Sequence, residues 1–328
     1  MFNKIAYAGF LKNSNDYTLE QISDSLREID DFEAFLLEIG INVEQNIAVN
    51  DVHSYIIAKR EQTNDIHRTI WAIQEYFYVV RNDLLCNELW NLQDAIGILA
   101  KMSALTKSEL GDDVWQQVFG DVEMPKVGWS PDEITNFTRK MHNKLLGTAP
   151  LDKIECMYQK NAHAEDSEDS DNSLRGIFEI SGIDGVIIHL HNELIRGMEE
   201  CRVAGDLFGA TEVDDGVIGF FKENPMNYRV GDKLVIKQGP NLTKKFLDET
   251  DEKLKRYYAC HCPIKKKSIL QDEGGLSHSL CNCCFGHCKK TFEAAMGRKL
   301  GGRVLRTVMD DHCLECVFEI DLPNDMAK

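Results

Sequence analysis

The placement of cysteine constrains this chain more than any other feature of its sequence. Eight of the eleven cysteines lie close together toward the C-terminal end, at Cys260, Cys262, Cys281, Cys283, Cys284, Cys288, Cys313 and Cys316. The other three, Cys86, Cys156 and Cys201, are scattered over the rest of the 328 residues. Eleven cysteines are too few for a disulfide scaffold in a chain of this length. In a reducing compartment, such a group indicates metal ligation or thiol chemistry.

The first cysteine pair lies in a segment that favours a strand. Two tyrosines precede Cys260-His261-Cys262, and Pro263 follows, which suits the end of an edge strand. Since side chains alternate along a strand, Cys260 and Cys262 are expected to point to one face and His261 to the other. The two sulfurs can then reach one ion.

A helix is predicted after the second group of cysteines. Residues 289–296 are good helix formers, and Gly297 suits the helix C-terminus. If the helix begins near Cys284, the side chains of Cys284, His287 and Cys288 share one face. The dipole at a helix N-terminus also lowers the pKa of a nearby thiol and favours the thiolate.

Three segments around the cysteines are predicted to form strands. Residues 233–237 follow a Val-Gly-Asp turn and alternate in the manner of a strand. Residues 304–308 and 317–320 are expected to pair through a turn at Asp310-Asp311-His312. An antiparallel sheet is therefore expected beside the cysteine-rich helix.

Residues 186–191 fit two structures. Their apolar run suits a strand or a turn of buried helix, and hydrophobic periodicity does not decide between them. On a strand, His189 and His191 would share a face and could bind a metal. Histidines that are exposed, or already hydrogen-bonded, are the simpler interpretation.

Residues 1–147 are predicted to be helical. Apolar residues recur at helical spacing after a capping box at Thr18, along residues 64–80 and along residues 83–102. Ser130-Pro131-Asp132-Glu133 offers an N-cap serine, a proline at the first helical position and an acid at the third. The chain is expected to be α+β, with a helical N-terminal half followed by an antiparallel sheet with packed helices and a cysteine-rich site.

An acidic run separates the two halves. Residues 163–173 contain five acids and three serines but no large apolar residue, so they favour an exposed loop or linker. They lack the glycine and closing glutamate of an EF-hand calcium loop. We predict a helical domain over 1–147, a linker with the acidic loop over 148–174, and a cysteine-rich α/β domain over 175–328 that binds a small molecule or a metal.

Charge and hydropathy exclude several partners. The chain has 37 basic and 54 acidic residues, a formal charge of −17 that opposes binding to a phosphate backbone. No window approaches about 18 consecutive apolar residues, so no membrane-spanning helix is expected. The N-terminal apolar stretch is too short for a signal peptide, so a cytoplasmic location is expected. A small organic ligand is the expected partner, no nucleic acid is expected, and an oligomer is left open.

Two sets of four thiolates compete for a tetrahedral metal site. One set has two Cys-x-Cys pairs and comprises Cys260, Cys262, Cys281 and Cys283. The other has two Cys-x-x-Cys pairs, more widely separated than in a zinc ribbon, and comprises Cys281, Cys284, Cys313 and Cys316. Four thiolates suit structural zinc and can equally hold an iron–sulfur cluster. The alternative is that most of these thiols are small buried apolar groups.

Several of these segments together resemble a known family. They are Tyr-Tyr-Ala-Cys-His-Cys-Pro at 257–263, Cys281-Asn282-Cys283, Phe292-Glu293 with Gly297, and Cys-Val-Phe-Glu-Ile-Asp-Leu-Pro at 316–323. This pattern resembles uncharacterised bacterial proteins often labelled L-2-amino-thiazoline-4-carboxylic acid hydrolase-like. The ending is similar to the ligand-binding domain of the bacteriochlorophyll 4-vinyl-reductase type. The resemblance covers roughly residues 150–325 and is firmer over 229–323.

The resemblance implies an α/β domain with a small-molecule pocket and a cysteine-based site. Carried over by position, that site comprises Cys260, His261, Cys262, Cys281, Cys283 and Cys316, with Lys289 and Glu293 on the adjacent helix. Three further thiols, Cys284, Cys288 and Cys313, have no counterpart in the family pattern, which leaves the ligand set open.

Two functions follow from these expectations. The first is a sensor or binding module in which thiolates hold zinc, or alternatively an iron–sulfur cluster, beside a pocket for a small organic ligand. The second is a hydrolase that opens a non-peptide C–N bond of a thiazoline-like or amide substrate. There Cys281 or Cys283 would be the nucleophile, His261 or His287 the base, and Lys289 the partner of a substrate carboxylate.

Overall fold

The computed structural model describes residues 3–14, 16–41, 47–63, 66–160, 162–163, 168–209, 211–271 and 276–323, and for residues 168–172 the backbone alone. Helices form the N-terminal half, and a four-stranded antiparallel sheet lies toward the C-terminus. The predicted α+β class is therefore confirmed. No helix within the described ranges is both long and apolar enough to cross a membrane.

The N-terminal half is built from helices, two of which begin at capping boxes. They are α1 Lys4–Asn13, α2 Leu19–Glu38, α3 Val49–Arg60, α4 Ile66–Val79, α5 Asp83–Leu105, a π-helical turn Thr106–Leu110, α6 Asp112–Phe119, α7 Pro131–Thr148 and α8 Leu151–Tyr158. Thr18 and Ser130 both make the predicted capping boxes, in which each hydroxyl accepts a backbone N–H and each third residue bonds back.

The C-terminal half mixes helices and strands. Its elements are α9 Glu168–Ala204, α10 Asp215–Glu223, β1 Asn227–Val230, β2 Lys233–Gln238, α11 Thr243–Asp248, α12 Glu252–Ala259, two 3-10 turns Lys266–Ile269 and His278–Leu280, α13 Cys281–Met296, β3 Gly302–Arg306 and β4 Cys316–Asp321. Helix α9 is interrupted at Gly182, where φ is 65° and ψ is −166°. Gly297 ends α13 in the left-handed conformation, as predicted.

Helix α13 packs against one face of the sheet. Its strand order is β1-β2-β4-β3 with every pair antiparallel, which confirms the three predicted strands. Ile236 lies opposite Phe318 in the register of β2 and β4. Phe285 of α13 packs on Phe318 with ring centroids 5.6 Å apart, so the cysteine-rich helix is held against the buried face of the sheet.

Two segments differ from the expectation of strands. Residues 257–259 close α12, and Cys260 to Cys262 form an extended connection outside the sheet. The two tyrosines have high strand propensity, but Tyr257 is buried on a helix, so tertiary packing overrides propensity. Residues 186–191 belong to α9, where His189 and His191 are about 200° apart around the helix axis and do not share a face.

Other boundaries also shift. Helix α13 begins at Cys281 rather than near Cys284. Residues 151–158, within the predicted linker, form α8 with Ile154, Met157 and Tyr158 buried. The middle of the acidic run, residues 164–167, lies outside the described residues. The division into domains stays a prediction, although buried residues from both halves, from Tyr7 to Leu322, belong to one core cluster.

Candidate thiolate site

The first two cysteines of the site are placed by the end of α12. Cys260 caps this helix in an extended conformation, and its N–H binds the Arg256 carbonyl at 3.1 Å. The chain then turns back at Cys262, whose carbonyl accepts the Lys266 N–H at 3.0 Å. Both thiols are buried, with 3% of Cys260 and none of Cys262 exposed.

The other cysteines come from α13 and β4. Cys281, Cys284 and Cys288 follow the spacing i, i+3, i+7, so they lie along one face of α13. Cys316 opens β4 opposite Gln238 of β2. Burial raises the pKa of Cys316, and the nearby sulfurs of Cys260, Cys281 and Cys284 raise it further. Sulfurs from three chain segments therefore lie close together here. We call Cys260, Cys262, Cys281, Cys284 and Cys316 the thiol cluster.

Lys265 lies among these thiols. Its side chain is 1% exposed, and its ammonium donates a hydrogen bond to the sulfur of Cys281. Burial alone would lower the pKa of Lys265, but the surrounding sulfurs, led by Cys281 and Cys262, raise that pKa well above its usual range. Lys265 is therefore a buried cation whose counter-charge is sulfur.

Cys284 carries the thiolate. A hydrogen bond from the Cys262 thiol is the main cause that lowers the pKa of Cys284 well below its usual range. Burial opposes this shift, and His163 and Lys265 reinforce it. By contrast, burial raises the pKa of Cys260 to about 11 and the pKa of Cys281 and Cys316 above the ordinary value.

Cys283 lies on another face of α13. Burial and the nearby Cys283 sulfur raise the pKa of Tyr158, and Cys283 also hydrogen-bonds to His163. Cys283 therefore lies on the side of α13 that packs toward α8. Although burial lowers the pKa of His163, the sulfurs of Cys283 and Cys284 raise it to about 11. His163 is thus a second cation beside the thiols, half-buried, and its ring lies 5.2 Å from that of His287.

The predicted bases and the predicted lysine have other bonds. His261 Nε2 binds the Gly239 carbonyl at 2.6 Å, which ties the Cys-x-Cys segment to the end of β2. Burial lowers the pKa of both His261 and His287, so both rings are neutral. Lys289 Nζ donates to the Leu300 carbonyl at 3.1 Å and lies 3.4 Å from a Glu293 carboxylate oxygen, where it fastens the connection from α13 to β3.

The resemblance implied five cysteines at the site as metal ligands. Cys260, Cys262, Cys281 and Cys316 come together, whereas Cys283 faces Tyr158 and His163. Sequence reasoning missed Lys265 because it lies in a basic run that suits an exposed connection. It missed His163 because this residue begins the acidic run. Cys284 was a candidate ligand in the second of the two predicted sets, because it lies three residues after Cys281.

A cavity of about 520 Å³ lies beside this site. Its wall includes Gly239, whose carbonyl binds His261, and the free thiol of Cys313. Apolar and charged side chains both line it, among them Phe220, Met226, Phe246, Leu314, Lys237, Arg306 and Glu315. This mixture is typical of a site for a small organic molecule.

The thiol sulfurs of the cluster are suitable ligands for a soft metal, but in this structure they are arranged to form hydrogen bonds. Among the residues that the structure describes, no three His, Cys, Asp or Glu side chains form a ready metal-binding group. Cys262 bonds to Cys284, and Lys265 bonds to Cys281, so metal ligation requires these sulfurs to rotate toward a shared centre. Comparison with protein families, curated proteins and solved structures found no match.

Proposed function

We propose that the thiol cluster is a soft-metal site, with zinc as the expected ion, in a protein that binds a small organic molecule in the neighbouring cavity. The observation that carries this proposal is the burial of the Lys265 ammonium among buried thiols, together with the half-buried His163 ring beside Cys283 and Cys284. Ammonium and imidazolium groups have little reason to be buried together unless they balance a larger negative charge.

The balance of charge favours four thiolates around a divalent ion. Zinc with four thiolates carries two net negative charges, which Lys265 and His163 together neutralise. The hydrogen bond from Lys265 to Cys281 is of the kind that orients a ligand from outside the coordination sphere. Four thiols of the cluster are enough, and the fifth, Cys316 or Cys260, remains as a neighbour.

Elemental analysis of the chain purified without oxygen tests the proposal. We expect about one zinc ion per chain, with no visible absorption. The double variant Cys260→Ser/Cys262→Ser should lose the zinc and melt at a lower temperature, because metal affinity contributes to folding. The control Cys86→Ser/Cys201→Ser changes two cysteines outside the cluster and should keep the metal.

Two results would contradict zinc binding. One is a wild-type chain that neither carries zinc nor takes it up when zinc is added under reducing conditions. The other is full zinc retention in the Cys260→Ser/Cys262→Ser variant. Iron and sulfide in equal amounts, with a brown colour, would instead assign the cluster to iron–sulfur chemistry.

A second function is favoured by the contact between Cys284 and His163. A thiolate beside an imidazolium is the pairing that cysteine-dependent hydrolases use. In this alternative the Cys284 thiolate attacks the carbon of a C–N bond, and His163 gives its proton to the departing nitrogen. This assigns to Cys284 the role that the sequence suggested for Cys281 or Cys283.

Alkylation of the native, metal-free chain distinguishes this alternative. With iodoacetamide and peptide mass spectrometry, we expect Cys284 to react faster than the buried Cys86, since burial raises the pKa of Cys86 to about 12. Replacement of His163 by Asn should slow the reaction of Cys284 and leave the reaction of Cys156 unchanged. A Cys284 that stays unmodified while Cys86 reacts would exclude the hydrolase mechanism.

A further inference from the structure

The cavity beside the thiol cluster lies at the junction of two packed regions. Phe220 and Met226 pack on a small buried cluster centred on α10, whereas Phe246 of α11 packs on the main core. The rings of Phe220 and Phe246 meet at this junction, with their centroids 6.4 Å apart. Both rings are half-buried, and so are the side chains of Met226 and Leu314. Large apolar side chains from several parts of the chain therefore leave some of their surface uncovered around one cavity.

The charged side chains of this cavity are already paired within the protein. Glu315 accepts a hydrogen bond from Arg306 Nε at 3.1 Å and lies 3.8 Å from Lys237 Nζ. Asp311 accepts a hydrogen bond from Arg256 at 2.8 Å. The described residues that line the cavity thus include two cations and two carboxylates, whose formal charges cancel. A charged ligand would have to lose its water and then compete with these pairs for a counter-charge.

Uncharged polar groups also line the cavity. They include the side-chain amides of Asn224 and Gln238. Asn224 Nδ2 donates to the Phe220 carbonyl at 2.9 Å, and the Cys313 thiol donates to the Glu315 carbonyl at 3.2 Å. An amide can both donate to and accept from an uncharged group such as a hydroxyl. The polar part of the wall therefore suits a neutral ligand.

We propose that this cavity binds an uncharged aromatic compound with one or two rings and a polar group such as a hydroxyl. The inference rests on the proposed function, because it names the class of the small organic molecule assigned to this cavity. A volume of about 520 Å³ is within the range of small-molecule sites, which are mostly apolar with a few polar groups. Aromatic rings prefer edge-to-face or offset contacts, and the 60° tilt between Phe220 and Phe246 presents both an edge and a face.

Three probes with one ring system and different charges test this proposal. They are naphthol, naphthoate and naphthylmethylammonium, each substituted at the same ring position. Isothermal titration of the full chain, purified without oxygen, should show one site for naphthol and binding of both ions that is weaker by about tenfold or more. Added salt should leave the affinity for naphthol unchanged, because salt screens only interactions between charges.

A pair of phenylalanine variants locates the site. Phe246→Ala removes one ring from the cavity wall and should weaken naphthol binding by about fivefold or more. The control Phe10→Ala removes an exposed ring of α1, outside this wall, and should leave the affinity unchanged. Equal weakening by the two variants would overturn the proposal, because the compound would then bind elsewhere.

Cys313 gives an independent measurement on the unaltered chain, because its half-buried thiol belongs to the cavity wall. Naphthol at about ten times its dissociation constant should slow alkylation of Cys313 by about tenfold. The reaction of the exposed Cys156, outside this wall, should not change.

The outcomes separate this inference from the proposed function. If naphthoate or the ammonium probe binds more tightly than naphthol and protects Cys313, the uncharged class is wrong although the cavity still binds a small organic molecule. If none of the three probes binds, the aromatic class is wrong as well. Zinc content, measured on the same preparation, decides the metal part of the proposed function separately.

Discussion

A buried ion pair joins the helical half to the segment that carries the first cysteines. Lys266 Nζ lies 3.1 Å from a Glu88 carboxylate oxygen, with 3% and 5% of the two side chains exposed. The Tyr257 hydroxyl donates to the same oxygen at 2.5 Å. Loss of one partner from such a pair leaves an uncompensated charge in the interior.

We therefore expect Lys266→Met to lower the free energy of unfolding by about 3–5 kcal/mol. Urea unfolding followed by circular dichroism measures this. The double variant Lys266→Met/Glu88→Gln should recover much of the loss, since no buried charge remains. Arg196→Met, which removes an exposed pair with Glu193, should cost far less, because solvent screens that pair. Equal losses for the two single variants would show that the buried pair has no special role.

Two buried histidines predict how stability depends on pH. Burial lowers the pKa of both His53 and His142 to about 4. His142 is also held between the Tyr158 hydroxyl at 2.9 Å and the Ser279 hydroxyl at 3.1 Å. In the unfolded chain each imidazole becomes protonated below about pH 6.5, whereas in the folded chain it becomes protonated only below about pH 4. Their contribution is complete above about pH 6.5 and is lost as the pH falls toward 4.

Comparison of the wild type with His53→Gln/His142→Gln measures this contribution. Unfolding free energies at several pH values between 7 and 4 should fall more steeply for the wild type, by on the order of 2 kcal/mol per histidine. Carboxylates titrate equally in both chains, so the difference belongs to the imidazoles. Parallel curves for the wild type and the double variant would be incompatible with neutral buried histidines.

At the scale of elements, the contact between α8 and α13 depends on one missing side chain. A Cβ at Gly286 would lie 2.6 to 2.8 Å from backbone atoms of Gln159, and backbone cannot turn aside as a flexible side chain can. Gly97 in α5 is also helical, but a Cβ there meets no atom within 4 Å. Both positions therefore have the low helix propensity of glycine, but a side chain would clash only at Gly286.

We expect Gly286→Ala to destabilise the chain by about 1–3 kcal/mol through overpacking, despite the better helix propensity of alanine. Gly97→Ala should stabilise it by about 0.5–1 kcal/mol. Urea unfolding of both variants gives the comparison. A stabilised Gly286→Ala would mean that α8 and α13 can move apart freely.

Elements with local signals were predictable, whereas those set by distant packing were not. The capping boxes at Thr18 and Ser130 and the C-cap at Gly297 depend on residues within one turn, and all three form. The Cys260-His261-Cys262 segment lacks such a signal. Its strand-like composition is overridden because α12 buries Tyr257 against Glu88, a contact across more than 160 residues that no local pattern contains.

The candidate site follows the same rule. The density of cysteines was enough to locate the region, and chain spacing was enough to place Cys284 and Cys288 on a helix, although that helix begins at Cys281. The partners of these thiols were not predictable in the same way. Lys265 is polar and charged in sequence, and only the convergence of α12, α13 and β4 buries it among sulfurs. The metal and the reaction stay predictions for the experiments above.

At the scale of the whole molecule, the two halves are joined by packing and by polar contacts. One cluster of buried apolar residues includes side chains from both. Four of the hydrogen bonds that cross between the halves, besides those of Glu88, illustrate the polar contacts. They join Asn87 to Asn241 at 3.1 Å, Arg139 to Gln271 at 3.0 Å, His142 to Ser279 at 3.1 Å and Gln159 to Asn282 at 2.9 Å. Loss of either half would expose the shared core of the other.

We therefore expect the chain to unfold in one cooperative transition. This can be measured directly, because each half contains its own spectroscopic or chemical probe. All four tryptophans, Trp71, Trp90, Trp115 and Trp129, belong to the first half, whereas the thiol cluster belongs to the second. Tryptophan fluorescence and pulsed alkylation of the cluster, counted by mass spectrometry, should give the same urea midpoint in metal-free protein. Two separate midpoints would show that residues 1–147 and 175–328 are independent folding units, because a core shared between them must be lost by both at once.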